Sequence, residues 1–136
     1  MMKQTYDIES IVFKALRSNQ TLVNELNGGV YLGQRPVNSD KEDVVINTIA
    51  LTQEFKPQLG TSNINIHVAD KVVTIGGAQQ KVEDRVRLKQ LSELVLTTIR
   101  AGIVKGMKMV VENQSTLKEP EISQHFVNIR INWIIH

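Results

Sequence analysis

Val127-Asn128-Ile129-Arg130-Ile131-Asn132-Trp133-Ile134-Ile135 is the stretch on which the reading of this chain turns. Successive side chains of a strand point to opposite faces. Val127, Ile129, Ile131, Trp133 and Ile135 therefore share one face, and Asn128, Arg130 and Asn132 share the other. A sheet with one apolar and one polar face buries the apolar one against helices or a second sheet. Working back along the chain, Ile64, Ile66 and Val68 alternate in the same way with Asn63, Asn65 and His67. Val44 to Thr52 is rich in β-formers and reads as a buried strand. The turn residues Pro57, Gly60 and Ser62 join these two runs as an antiparallel hairpin. One more strand is expected over Met107 to Glu112. A hairpin connection over Asn113 to Glu121, containing Pro120, then leads to the last strand, which starts near Ile122.

Helical spacing appears twice. Ile8, Ile11, Val12, Ala15 and Leu16 form one apolar face behind Asp7, whose side chain is suited to cap a helix. Thr21 is placed to cap a short second turn carrying Leu22, Val23 and Leu26, which Asn27-Gly28-Gly29 ends. A long helix is expected from about Gln79 to Arg100, closed by Gly102. Between these elements lie a short extended piece, Val30-Tyr31-Leu32, and a polar loop from Gly33 to Asp43 with Pro36. Lys71 to Gln80 is expected to be a partly extended projecting loop broken at Gly76-Gly77. The order is helix, strands, helix, strands. It predicts a single α+β domain over residues 1–136: a mostly antiparallel sheet of four to five strands with two main helices packed on one face.

Composition narrows the function classes. Lys plus Arg number 16 against 14 Asp plus Glu, giving a net charge of +2. That balance is too mild to argue for nucleic-acid or membrane binding. Aromatic residues are only 4% of the chain, few for stacking on single-stranded nucleic acid. Cysteine is absent, which excludes disulfides and thiolate metal sites. No run of about 18 apolar residues suits a membrane span. Met1 to Asp7 lack the apolar core of a signal peptide, so a cytoplasmic site of synthesis is expected.

Signatures of bond chemistry are not found. His67, His125 and His136 show no paired spacing with carboxylates that a metal needs, and a surface or sheet-edge role is expected for them. Gly76-Gly77-Ala78-Gln79-Gln80 lacks the Lys-Ser/Thr pair of a phosphate loop. Glu83 and Asp84 suit the positive end of a helix. No Ser-His-Asp arrangement stands out. No enzyme activity, cofactor or metal is expected. The cations Lys81, Arg85, Arg87, Lys89, Arg100, Lys105 and Lys108 read as a solvated face paired locally with Glu83, Asp84 and Glu93, rather than as the lining of a DNA channel.

The layout of Gly29-Val30-Tyr31-Leu32-Gly33-Gln34-Arg35-Pro36, the strand Val44-Val45-Ile46, the helix Arg87-Leu88-Lys89-Gln90-Leu91-Ser92-Glu93-Leu94-Val95-Leu96 and the terminal Val127-Asn128-Ile129-Arg130-Ile131 resembles the tail-completion and tail-terminator proteins of long-tailed phages, related in fold to the lambda tail terminator. The resemblance spans nearly the whole chain. It departs from the family where Glu42-Asp43 replaces a frequent proline, and in a longer Lys71 to Gln80 segment. It implies a homo-oligomeric, commonly hexameric, ring on the head-proximal end of a tail tube. The implied partners are the tail-tube protein and a head-completion or connector protein, with DNA only as passing cargo. The implied location is the virion, assembled in the host bacterial cytoplasm. A head-completion or neck connector is the close alternative, and a small DNA-binding accessory protein a more distant one.

The residues add an expectation of their own. Leu88, Leu91, Leu94, Val95 and Ile99 fill one side of the long helix, while Val82, Val86 and Leu96 fall roughly opposite. A second apolar stripe calls for a second partner, either a neighbouring subunit or the 71–80 loop of the same chain. The loop residues Gln34, Arg35, Lys41, Lys71, Gln79 and Gln80 are expected to reach a partner or to be solvated surface.

Overall fold

The computed structural model describes residues 2–136. Its elements are α1 (Thr5–Ser18), α2 (Gln20–Glu25), β1 (Val30–Leu32), β2 (Asp43–Leu51), β3 (Gln58–Ala69), β4 (Lys71–Ile75), β5 (Ala78–Val82), α3 (Arg85–Gly102), β6 (Met107–Glu119) and β7 (Gln124–Ile135). Five strands form one sheet in the order β1-β2-β3-β7-β6, while β4 and β5 form a separate two-stranded hairpin. Only the β1–β2 pair is parallel. The fold is α+β, with α1 and α3 on one face of the mostly antiparallel sheet, as the alternation in β3 and β7 predicts.

The core lies between that face and the helices. Ile64 and Ile66 of β3, Ile129, Ile131 and Trp133 of β7, Ile8, Val12 and Leu16 of α1, and Leu91, Val95 and Ile99 of α3 are all fully buried. Apolar burial of this kind is the main favourable term in folding. A polar thread runs through the apolar layer. Glu9 Oε1 accepts from the Thr48 N–H at 2.9 Å, beside a register shift in β2. Thr48 and Ser62 hydroxyls meet at 2.8 Å, and Trp133 Nε1 donates to Ser62 Oγ at 2.8 Å. Each buried polar atom in the thread has a partner, which offsets the cost of taking it out of water. At the α1–α3 crossing a side chain on Gly102 would collide with Ala15, so glycine sets how closely the helices approach.

Several elements differ from expectation. Gln4 rather than Asp7 caps α1: Asp7 sits one turn in and its Oδ2 accepts from the Gln4 N–H at 2.6 Å. Asn19, not Thr21, caps α2 and accepts from the Leu22 N–H at 3.0 Å. The long helix starts at Arg85, capped by Asp84, rather than at Gln79. Gly76 and Gly77, with φ of 59° and 80°, do not break the structure but form the two-residue turn of the hairpin, with Ile75 opposite Ala78. Strand β6 runs on to Glu119, so the expected connection over 113–121 shrinks to a single tight turn at Pro120–Ile122. Among the described residues no helix is long and apolar enough to cross a membrane.

Candidate assembly interface

The residues singled out in the sequence separate into three places. Val82 lies half-buried in β5, not on the helix. Val86 is in the first turn of α3 and 74% exposed, so the hairpin does not fold over it. Leu96 is partly buried and packs against the core. The expected second stripe is therefore not one continuous helix face. The α3 stripe that is buried comprises Leu88, Leu91, Ser92, Val95, Thr98 and Ile99.

The hairpin makes almost no contact with the other elements and carries Val72 and Ile75 exposed. Lys71 lies at its root, and Gln79 and Gln80 lie in β5 with their side chains exposed. A second apolar region occupies the helix-free face of the sheet. There a cleft of about 400 Å³ is lined by Ala50, Leu59, Thr61, Val110, Asn132 and Ile134. Phe55, 76% exposed, lies in the turn that joins β2 to β3 next to this cleft.

Arg35 is where the sequence reading departs most from the structure. Gln34 and Lys41 are exposed, but the Arg35 side chain is tucked over the helix-free face with 11% exposure. It donates to Asp43 Oδ2 at 3.1 Å and to Gln124 Oε1 at 2.6 Å, and lies 3.5 Å from Glu119. Asp43 also accepts from Ser39 Oγ at 2.6 Å and from the Gly29 N–H at 3.0 Å. Gln124 closes the circle by donating to the Ser39 carbonyl at 2.9 Å. A side chain on Gly28 would collide with Asp43 and the Glu42 carbonyl, so the close approach of β1 to this cluster requires glycine. The loop is thus held by its own chain rather than free to swing.

Glu42 anchors the other face. It accepts from Arg87 Nε at 2.6 Å and NH2 at 2.8 Å, a two-point grip. Arg87 also donates to Glu25 at 2.9 Å, which ties α3 to α2. Hydrogen bonding to Glu42 raises the Arg87 guanidinium above its ordinary value, and it stays charged. Arg87 therefore does not belong to a solvated face. Lys89 and Arg85 do, pairing with Glu93 at 3.6 Å and Glu83 at 2.9 Å.

Two histidines have carboxylate partners that no local spacing revealed. His67 Nδ1 lies 2.7 Å from Glu119 Oε1 and stacks near Phe126, and His125 Nδ1 lies 2.6 Å from Asp70 Oδ1. Burial pushes the His67 imidazole below its ordinary 6.5, Arg35 adds to the effect, and Glu119 opposes it. The unfolded chain takes up a proton here as pH falls through about 6.5, while the folded chain resists. The stability due to neutral His67 is full above that pH and is lost as pH falls toward the folded value. Urea unfolding free energy is expected to fall as pH drops below about 6.5, and less steeply in His67→Gln. Equal slopes for the two proteins would contradict this assignment.

No family model matches the chain, and no curated protein matches it either. Among the described residues no group of three or more His, Asp or Glu is placed to share a metal ion. What the surface offers is an arm, an open sheet face with apolar residues at one end, and a helix turn presenting Val86.

Proposed function

We propose that this chain is a ring-forming structural protein of a phage tail, of the tail-terminator type, acting at the head-proximal end of the tube. The observation that carries this reading is the β4–β5 hairpin. It projects from the domain with Val72 and Ile75 uncovered. A two-stranded hairpin alone is marginal in water, so an arm of this kind is best accounted for by a neighbouring copy that covers it. Val86 beside its root and the apolar end of the open sheet face offer further contact area. Closed rings use such unlike surfaces head to tail. A ring seated on the last tube ring, with a different surface outward, stops further addition by shape alone and leaves a platform for the head connector.

The direct test is deletion of the gene in its phage. Tubes of uncontrolled length support termination. Tubes of uniform length that fail to join heads would assign the protein to the neck instead. A subunit-interface variant gives a second handle. Val86→Glu is expected to change stability by less than about 0.5 kcal/mol, since the side chain is exposed, yet to prevent ring assembly on tubes. Unimpaired assembly would remove Val86 from the interface.

A further inference from the structure

The hairpin root and the start of α3 stand over the far end of β6 and β7. They enclose a cleft of about 570 Å³ lined by Lys71, Lys81, Lys118, Arg85, Glu83 and His125. Three of these are already paired, Arg85 with Glu83 at 2.9 Å and His125 with Asp70 at 2.6 Å. Lys71, Lys81 and Lys118 are exposed and form no ion pair among the described residues. Lys118 stands directly opposite His125 across the β6–β7 pair. Three lysines without an ion-pair partner thus line one cleft, with Glu83 the single carboxylate among its lining residues, in a chain whose total charge is only +2. Such a cleft concentrates positive potential and attracts anions.

A second feature lies along the same wall. β6 is the outermost strand of the sheet. From Glu112 to Lys118 it is exposed on both faces, because the helices do not reach that far. Its outer backbone groups are therefore open to another extended chain. We propose that the edge of β6 and this cleft together form a docking site for an extended acidic segment of a partner protein. The segment adds as a strand to β6, and its Asp or Glu side chains beside Lys118 reach into the cleft that Lys71 and Lys81 also line. A nucleic acid would use the lysines but leave the edge unused, and the three cations line one cleft rather than tracking a backbone. The cleft shares the hairpin root with the ring reading but does not depend on it, since a single free chain carries both the β6 edge and the lysines.

The test is an NMR titration of the isotopically labelled full-length protein with an octapeptide of alternating Glu and Thr, blocked at both ends. Saturable shifts are expected at the amides of Ser115 to Glu119 and of Lys71 and Lys81. A Gln-for-Glu peptide, and the triple variant Lys71→Gln, Lys81→Gln, Lys118→Gln, should each bind roughly tenfold more weakly. Methylating one of the two alternating sets of peptide nitrogens should abolish binding while leaving the charges intact. These lysines are exposed, so the triple variant should give a well-dispersed spectrum, and Lys118→Glu alone offers a milder check. The absence of saturable shifts in these segments would overturn the proposal. So would binding indifferent to nitrogen methylation, or tighter binding of a single-stranded oligonucleotide than of the Glu peptide.

Discussion

Replacing Asp43 by Ala is expected to lower unfolding free energy by about 3–5 kcal/mol, the range for removing one partner from a buried ion pair. The Asp43 side chain is 1% exposed. It accepts from Arg35, Ser39 and the Gly29 N–H at 3.1, 2.6 and 3.0 Å. Truncation leaves the Arg35 guanidinium without its nearest carboxylate and strands two further donors, and unmet buried donors cost far more than a formed hydrogen bond returns. Asp43→Asn keeps a single acceptor oxygen, which can serve the Gly29 N–H while its amide NH2 faces Ser39 and Arg35, and it is expected to cost less than Asp43→Ala because the side chain still fills the site. Urea titration of the three proteins measures the difference. Hydrogen exchange should rise over residues 33–43 in Asp43→Ala, because this cluster is what holds the loop to the sheet. A loss below about 1 kcal/mol for Asp43→Ala would mean the cluster is solvated and contributes little.

Trp133→Ala is expected to cost a similar amount, about 3–5 kcal/mol, for a different reason. Trp133 is fully buried and is the largest side chain of the core, near the end of β7. Its removal leaves a cavity, and Ser62 loses the indole donor at 2.8 Å. Trp133→Phe fills most of the space and leaves Ser62 with its Thr48 partner at 2.8 Å. Its cost should be lower, about 1–3 kcal/mol. Trp133 is the sole tryptophan, so the parent protein can be followed by fluorescence, but both variants need circular dichroism. Near-equal stability of the parent and Trp133→Ala would place the ring outside the core.

Much of the fold was legible where burial imposes a period. The alternation of Ile64, Ile66 and Val68, and of Val127 through Ile135, marks which face is covered, and those residues are buried. The Leu88, Leu91, Val95, Ile99 stripe likewise marks the buried side of α3. Legibility ends where no period is enforced. Asn113 to Lys118 holds one apolar residue, Leu117, and becomes strand only because β7 offers it hydrogen-bond partners. Gln79, Gln80 and Lys81 are good helix formers, yet the Gly76-Gly77 turn commits them to a hairpin. The turn was visible in the sequence as Gly-Gly two residues wide after Val72-Val73-Thr74-Ile75, a recognised hairpin signal.

The electrostatic clusters were not legible, because their members are distant in the chain. Arg35 and Gln124 are 89 residues apart, and His67 and Glu119 are 52 apart. Glu42-Asp43, read as a departure from the family pattern, supplies both anchoring carboxylates, one toward Arg87 on the helix side and one toward Arg35 on the open side. Adjacent residues of a strand point to opposite faces, so two neighbouring acids bind two unrelated arginines. That division explains why both acids stand at the head of β2. It also explains why the loop before them is fixed, leaving the hairpin as the element free to engage a neighbour.

Electron microscopy of the purified protein mixed with its own tail-tube protein puts the proposed role to the most direct test. Tubes ending in a ring of uniform shape at one end, and no longer growing from that end, are the expected result. Tubes with bare, growing ends in the presence of saturating protein would contradict it.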